Sequence, residues 1–212
     1  DRFHKPVPQR LRDFVRKMAF ALACWCKPDG HMPCQGDSDD IDARDLLTGA
    51  SLLCQDSSLK ALSQGIFFED NLWSFGLSGL EAYKSLPSVP PKETSRVLTD
   101  SGNYFLRSGW HAAADYLRLH CGCMGSGHGH GDQLHVDYFF CGEDILIDPG
   151  RYTYVDSPVR RKLKLPSSHN TVCVDGEEFC ECTDSWGYSR MAYPIKGEFC
   201  FRGQINFAMA AH

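Results

Sequence analysis

Apolar residues recur at helical spacing in the first third of the chain. They are Leu11, Phe14, Val15, Met18 and Leu22. Residues three and four apart share one face of an α-helix, so this pattern predicts a helix, which Pro28, Asp29 and Gly30 bring to an end. Two further helices are predicted at about 43–54 and 71–83.

The pattern changes after a Pro-rich segment at residues 84–96, whose composition is typical of a linker. Short stretches rich in strand-forming residues follow, separated by glycine and proline turn signals. These stretches are 104–107, 116–120, 134–140, 145–147, 171–174 and 198–202. Helices followed by a series of strands predict an α+β organisation in which the second part is an antiparallel β-sandwich.

Composition narrows the class of protein only a little. The chain has 212 residues, 42% of them hydrophobic and 23% charged, which is a globular balance and allows one large or two small domains. No apolar run approaches the ~20 residues that a membrane helix needs. A net charge of −5 argues against general affinity for nucleic acid. The first residue is Asp1 and no signal peptide follows it, so any export signal is expected to lie outside this sequence.

Eleven cysteines are present, a high number for a chain of this length. Three pairs have Cys-x-Cys spacing: Cys24/Cys26, Cys121/Cys123 and Cys180/Cys182. None has the Cys-x-x-Cys spacing of a structural zinc site, so no zinc ribbon is predicted. We expect small buried thiols, and a reducing compartment accommodates so many cysteines more readily than an oxidising one.

The densest signal for chemistry is a stretch in which glycine alternates with His128, His130 and Asp132. Alternate side chains of an extended backbone point the same way, so the three are predicted to share one face. Imidazole and carboxylate groups are good zinc ligands. Asp148 and His169 are further candidates downstream. The ordinary alternative is a Gly-rich loop with solvated histidines.

Two shorter alternations are candidates for contact with a ligand. Arg160, Lys162 and Lys164 would form one basic face on a strand, which would suit an anionic sugar chain. A solvated strand face is the alternative. Tyr152 and Tyr154 alternate in the same way and would either line a cleft or pack against the fold.

Three motifs, in order, resemble the β-sandwich segment of heparinase II/III-like polysaccharide lyases. They are the Gly-His-x-His-x-Asp-x-Leu loop at Gly127–Leu134, Asp-Pro-Gly-x-Tyr-x-Tyr at Asp148–Tyr154, and His-Asn-Thr-Val-x-Val-Asp-Gly at His169–Gly176. Upstream, Arg107–Trp110 fits the lead-in strand of that family, and Gly36–Asp40 resembles a loop late in its helical toroid.

The resemblance implies a two-part fold. Residues 1–90 would form the end of an (α/α) toroid, with a linker at about 84–96, and residues 97–212 an antiparallel β-sandwich. Both parts are expected to be incomplete, and the sandwich is expected to be truncated at its C-terminus.

The resemblance also implies a site. One Zn²⁺ would be held by His130, Asp148 and His169, mainly to keep the sandwich loops against the cleft. His128 would be catalytic, because imidazole groups exchange protons readily near neutral pH. The implied reaction is β-elimination on an anionic, uronic-acid-containing polysaccharide such as heparan sulfate, heparin or alginate.

Tyr152 and Arg160 are the candidates for substrate binding. The catalytic tyrosine of this family lies far upstream of the His loop, and Tyr83 and Tyr104 match no motif for it. We therefore expect this chain to be inactive by itself. The resemblance implies a periplasmic or extracellular protein, whereas the cysteine content would also fit the cytoplasm.

Two alternatives belong to other functional classes. One is a non-catalytic carbohydrate-binding relative that kept the metal fold, since fold alone does not decide activity. The other is a non-haem Fe(II) oxygenase, with His130, Asp132 and His169 as its two-histidine, one-carboxylate triad. In that case Asp148 would have no role.

Overall fold

The computed structural model describes residues 7–125, 127–202 and 205–212, and the chain forms two compact units. The helical unit contains the chain up to Met32, Ile41–Lys92 and Trp110–Ala112. The sandwich unit contains Pro33–Asp40, Glu93–Gly109 and Ala113–His212. The division after Lys92 falls within the segment predicted as a linker. No pattern in the sequence indicated that Pro33–Asp40 would belong with the strands rather than with the helices.

Four helices make up the described part of the helical unit. They are α1 (Gln9–Trp25), α2 (Arg44–Cys54), α3 (Ser57–Leu62) and α4 (Glu69–Ser85). The three predicted helices are confirmed as α1, α2 and α4, the last with a kink at Gly76. The short α3 was missed, although Asp56 caps it by accepting hydrogen bonds from two backbone N–H groups. No helix within the described ranges combines the length and the apolar character needed to cross a bilayer.

The helical unit has an apolar core. Its buried members are Ala19, Ala23, Cys26, Ala43, Leu47, Ala50, Leu59 and Leu62. Only part of the apolar face from which α1 was predicted is buried. Val15 and Leu22 pack against the core, whereas Phe14 and Met18 are 60% and 57% exposed. Small alanines occupy the closest contacts instead.

The sandwich unit confirms the predicted antiparallel β architecture. Five strands form one sheet in chain order: β1 (Arg96–Leu98), β2 (Asn103–Arg107), β3 (Tyr116–His120), β4 (His135–Phe140) and β5 (Glu143–Leu146). Two hairpins follow, β6 (Glu181–Cys182) with β7 (Tyr188–Arg190) and β8 (Ile195–Arg202) with β9 (Ile205–Ala211). The last hairpin contacts the sheet, since the Phe199 ring lies 6.3 Å from that of Tyr104.

Two strand predictions in this unit were wrong. Residues 160–164 do not form a strand, because α5 (Pro158–Leu163) lies there. Ser157 caps this helix by accepting the N–H of Arg160 at 3.2 Å, and proline favours the first helical position. Residues 171–174 form no strand either. The Asn170 side chain there donates to backbone carbonyls of β4 and of the segment after β5, in place of a ladder.

The register of β2, β3 and β4 lines up three rows of buried side chains on one face of the sheet. The rows are Asn103–His120–His135, Phe105–Arg118–Asp137 and Arg107–Tyr116–Phe139. Most of these residues are polar or charged. The inner face of the sheet is therefore a layer of paired polar groups rather than an apolar core.

All eleven cysteines are free thiols. The expectation of buried thiols holds for Cys24, Cys26, Cys121 and Cys180, whereas Cys123 and Cys141 are exposed. Burial raises the pKa of Cys180 to about 12 and that of Cys34 to about 11, so neither thiol is a nucleophile near neutral pH.

Candidate metal and catalytic site

His130, Asp148 and His169 come together in the sandwich unit, although they lie in three different loops. His130 precedes β4, Asp148 follows β5, and His169 follows a short 3-10 turn at Pro166–Ser168. Their potential ligand atoms all lie within 4.8 Å of one another, and all three residues are buried. Nδ1 of His169 is 3.2 Å from Oδ2 of Asp148.

The donor atoms of this group fit a zinc ion. Nδ1 of His130, Oδ2 of Asp148 and both ring nitrogens of His169 are buried without a hydrogen-bond partner. Buried polar atoms normally have partners, so this concentration of unpartnered donor atoms is what a metal-binding group would present. Two imidazoles and one carboxylate form a common zinc set that leaves a coordination position open. Burial lowers the pKa of His130 to about 4, so its ring is neutral and can donate a lone pair at pH 7.

Asp37 links this group to His128. Its Oδ2 lies 2.8 Å from Nδ1 of His128, and its Oδ1 lies 3.2 Å from Nε2 of His130. The Arg160 guanidinium donates to both oxygens, at 2.9 and 2.7 Å. Burial alone would raise the pKa of Asp37, but the hydrogen bonds from Arg160, His128 and His130 outweigh it and lower that pKa to about 2. The carboxylate is therefore ionised and fully engaged.

His128 faces outward, in contrast to His130. Its side chain is 64% exposed, and its ring meets the rings of Trp186 and Tyr154 edge-on, with centroids 5.3 and 5.9 Å away. Within the described residues, Nε2 of His128 has no hydrogen-bond partner. The ring is thus held on one side by Asp37 and by aromatic neighbours, and its other nitrogen is available to a bound molecule.

The His loop does not have the extended form that the sequence predicted. His128 is exposed while His130 and Asp132 are buried, although the rings of His128 and His130 both contact the carboxylate of Asp37. Asp132 lies 3.7 Å from Nε2 of His120, on the polar layer of the sheet, and does not belong to the metal-binding group. A turn at Gly127 and His128 and a bend at Gly131 replace the extended backbone that was predicted.

Lys164 fixes the shape of the same loop. Its buried ammonium donates to the carbonyls of Gly127 and Gly129, at 2.9 and 2.7 Å, and its own carbonyl accepts the N–H of Gly131 at 2.9 Å. Burial lowers the pKa of Lys164. A Cβ on Gly129 would lie 1.9 Å from the carbonyl oxygen of Met124, so only glycine fits there.

Arg160 is placed behind the site rather than in it. The residue has no exposed surface, its guanidinium is committed to Asp37, and it lies 4.5 Å from the Trp186 ring centroid. Arg160 therefore organises the site, and a polysaccharide could not reach it in this conformation. Tyr152, the other predicted substrate contact, is 78% exposed, and its role stays a prediction.

A second layer supports Asp148 from the sheet. Arg118 donates to Asp137 at 2.5 Å, Asp137 lies 3.2 Å from Nε2 of His135, and that nitrogen is 4.0 Å from Asp148. Nδ1 of His135 accepts the backbone N–H of Asn170 at 3.2 Å. Side chains that hold metal ligands in this way tune both their orientation and their basicity. Sequence reasoning missed this layer because strand alternation normally buries apolar residues.

A cavity of about 250 Å³ opens beside the two histidines. Its lining residues are Gln35, Gly36, Met124, His128, Gly129, His130 and Asp132. The cavity therefore lies between the exposed ring of His128 and the buried ring of His130.

The sequence profile of one protein family, described as "Heparinase II/III-like, C-terminal", matches residues 90–210. The chain belongs to this family. The matched region covers the His loop, the Asp-Pro-Gly turn and the His-Asn-Thr segment, so the family resemblance predicted from those motifs is confirmed. No curated protein sequence matches the chain.

Several solved structures with a similar fold are named heparinase III or heparan sulfate lyase. A structure of heparinase III, the BT4657 gene product, aligns with 96% of this chain and 28% of its own length, at 21% identity and a TM-score of 0.70. A mutant of heparan sulfate lyase HepC from Pedobacter heparinus aligns with 94% of this chain and 28% of its own, at 18% identity and 0.70. Another heparinase III structure gives 17% identity, 92% and 29% coverage, and a TM-score of 0.67. At these identities the likeness concerns the fold alone. The chain spans a little over a quarter of the length of these proteins.

Proposed function

We propose that this chain forms the zinc-bearing sandwich part of a polysaccharide lyase that cleaves a uronic-acid-containing polymer by β-elimination. The observation that carries the proposal is the pairing, through Asp37, of the buried His130–Asp148–His169 group with the exposed ring of His128. Membership of the heparinase II/III-like family supports the reaction class. A polymeric substrate of this kind also favours a periplasmic or extracellular location.

His130, Asp148 and His169 would hold the zinc ion. When bound, the ion would neutralise the buried carboxylate and cross-link the loops before β4, after β5 and after the 3-10 turn, a structural role. The proton chemistry is assigned to the chain's own residues.

β-Elimination requires removal of the C5 proton, which lies α to the uronate carboxylate. The electron pair forms the C4–C5 double bond, the C4–O4 bond breaks, and the departing oxygen takes up a proton. His128 can serve one of these proton transfers through Nε2, because Nδ1 is held by Asp37. The negative charge of the uronate must be offset as well. Among the described residues of the site, no exposed cation is assigned to that role. We propose that this group and the catalytic tyrosine come from outside this chain, which would then be inactive alone.

The oxygenase alternative has less support. Its triad would need Asp132, but the group with ligand geometry contains Asp148 instead. A non-catalytic carbohydrate-binding relative remains the second candidate, because Tyr154 and Trp186 present parallel, half-exposed rings beside His128.

The test uses the full-length protein on heparan sulfate, heparin and alginate, with absorbance of the unsaturated product as the readout. His128→Ala should slow elimination by about 10²–10⁴-fold and leave the zinc content at one per chain. His130→Ala should lower zinc content and stability together. Binding of a uronate polymer without any unsaturated product would favour the non-catalytic candidate. Loss of zinc in His128→Ala, with retention in His130→Ala, would reverse the two assignments.

A further inference from the structure

Asp37 belongs to the Gly36–Asp40 motif, for which the sequence suggested a place in the toroid but no role. The structure puts it in the sandwich unit, 91 residues from His128 in sequence and with only 3% of its side chain exposed. Its neighbours Asp39 and Asp40 are exposed. Loop geometry alone does not explain why a buried carboxylate lies between two histidines for which different functions are proposed.

Each oxygen of Asp37 accepts two hydrogen bonds. Oδ1 faces His130 and Nη1 of Arg160, and Oδ2 faces His128 and Nη2 of Arg160. An ionised carboxylate has about four acceptor sites and no donor. The ring nitrogens that face it must therefore carry hydrogens: Nε2 in His130 and Nδ1 in His128.

The consequence is that one carboxylate selects opposite tautomers in two histidines of the same loop. In a neutral imidazole, hydrogen on one nitrogen leaves the lone pair on the other. His130 then presents its lone pair on Nδ1, a buried atom without a hydrogen-bond partner, and the residue lies within ligand distance of Asp148 and His169. His128 presents its lone pair on Nε2, on the exposed side of the ring.

We propose that Asp37 is a positioning residue that sets both tautomers, so that His130 binds the metal and His128 transfers a proton. This inference rests on the proposed function for the meaning of His128, but the tautomers themselves can be measured without any substrate. Arg160 acts through Asp37, since its bidentate contact fixes the carboxylate plane.

The first measurement is on the unaltered, zinc-loaded chain. Ring ¹⁵N shifts in long-range ¹H–¹⁵N NMR spectra, with His128→Ala to assign the signals, distinguish the tautomers at a pH where the rings are neutral. We expect hydrogen on Nδ1 of His128 and metal on Nδ1 of His130. Hydrogen on Nε2 of His128, or metal on Nε2 of His130, would overturn the proposal whatever the lyase assay gives.

The second measurement compares Asp37→Asn with Asp39→Asn, a matched change two residues away at a 66% exposed side chain. Asp37→Asn should weaken zinc binding by about 10–100-fold and populate the other His128 tautomer, whereas Asp39→Asn should change neither. In the active full-length protein at saturating zinc, kcat should fall at least tenfold while KM stays within threefold.

Asp37→Asn leaves the buried Arg160 without its carboxylate, so this variant is compared with Asp37→Asn/Arg160→Gln, which removes both charges. The double variant should fold and still lose the tautomer selection. A double variant with native tautomers and native zinc affinity would show that Asp37 has only a structural role. Absence of lyase activity in the unaltered protein would count against the proposed function, but it would leave the NMR and zinc results to decide the role of Asp37.

Discussion

Leu47 and Leu59 have no exposed surface at the centre of the helical unit, whereas the fully buried side chains of the sandwich unit include Arg118, Arg160 and Lys164. Apolar burial is non-directional, so a helical core of this kind needs only shape and volume. A buried cation needs a specific partner, because without one its desolvation is not compensated.

The difference shows where each unit is vulnerable. In the helical unit, loss of one contact leaves the others in place. In the sandwich unit, Asp37, Arg160 and the His loop form one network in which each member satisfies the next. Networks of this type hold a unique geometry when complete and are costly when one member is missing. The division of roles proposed for His128 and His130 would depend on that rigidity.

Removal of the proposed zinc ion should have the largest effect, and that effect should differ between the two units. A ligand present at about 1,000 times its Kd stabilises the folded state by about 4 kcal/mol, and chelation removes that contribution. We expect amide hydrogen exchange to accelerate in β4 and in the His loop, with α1 and α2 unchanged. Exchange followed by mass spectrometry before and after chelation measures this. Equal acceleration in both units would contradict the comparison.

Lys164→Met tests the polar interior without touching the metal ligands. Methionine keeps the length of the side chain but leaves the carbonyls of Gly127 and Gly129 without their shared donor. The Gly129 carbonyl keeps the Tyr188 hydroxyl as a donor at 2.8 Å, so the main loss is at the Gly127 carbonyl, and we expect a decrease of about 1–3 kcal/mol in the free energy of unfolding.

Lys162→Met is the matched control for that change. Lys162 lies in α5, two residues before Lys164, and is exposed, so its substitution should alter the free energy of unfolding by less than about 0.5 kcal/mol. Urea denaturation of the two variants gives both values. Similar costs for Lys162 and Lys164 would show that the clamp on the His loop contributes little.

The periodicity of the sequence predicted most of the architecture, because it depends on local properties. Apolar spacing marked α1, and strand composition marked 116–120, which coincides with β3. The strand predicted from the basic alternation at 160–164 was wrong. The preceding Ser157-Pro158 is a helix-start signal, and it outweighs the spacing by two.

In the candidate site, only the residues that belong to a recognised motif could be predicted. Spacing alone could not bring Asp148 and His169 to His130, since these positions are joined by the fold and not by any period. The role of Asp37 was harder still to predict. Asp37 contacts His128 from 91 residues away, and a boundary between the two units lies between them in the sequence. No local pattern predicts which carboxylate of Gly36–Asp40 turns inward.

The smallest effect is expected at the edge of the helical unit. Asp56 caps α3, accepting the N–H groups of Ser58 and Leu59 at 2.8 and 3.1 Å, and it pairs with Arg16 at 2.5 Å. Asp56→Ala should cost about 1 kcal/mol, because the cap is lost while the half-exposed Arg16 pair adds little.

The pH dependence of that cost has a definite sign. Burial alone would raise the pKa of Asp56, but the hydrogen bonds from Arg16, Leu59 and Ser58 outweigh it and lower that pKa in the folded state. A carboxyl group whose pKa is depressed on folding contributes stability above its unfolded value of about 3.9, and that stability is lost as the pH falls through the folded value. Urea denaturation at pH 7, 5 and 3 should therefore show the difference between Asp56→Ala and the unaltered chain shrinking only at the lowest pH.

Asp13→Ala, at an exposed carboxylate of α1, is the control and should show little cost at pH 7. A cost for Asp56→Ala as large as that for Lys164→Met would mean that the helical unit depends on its polar contacts as strongly as the sandwich unit does, and the contrast between the two interiors would then fail.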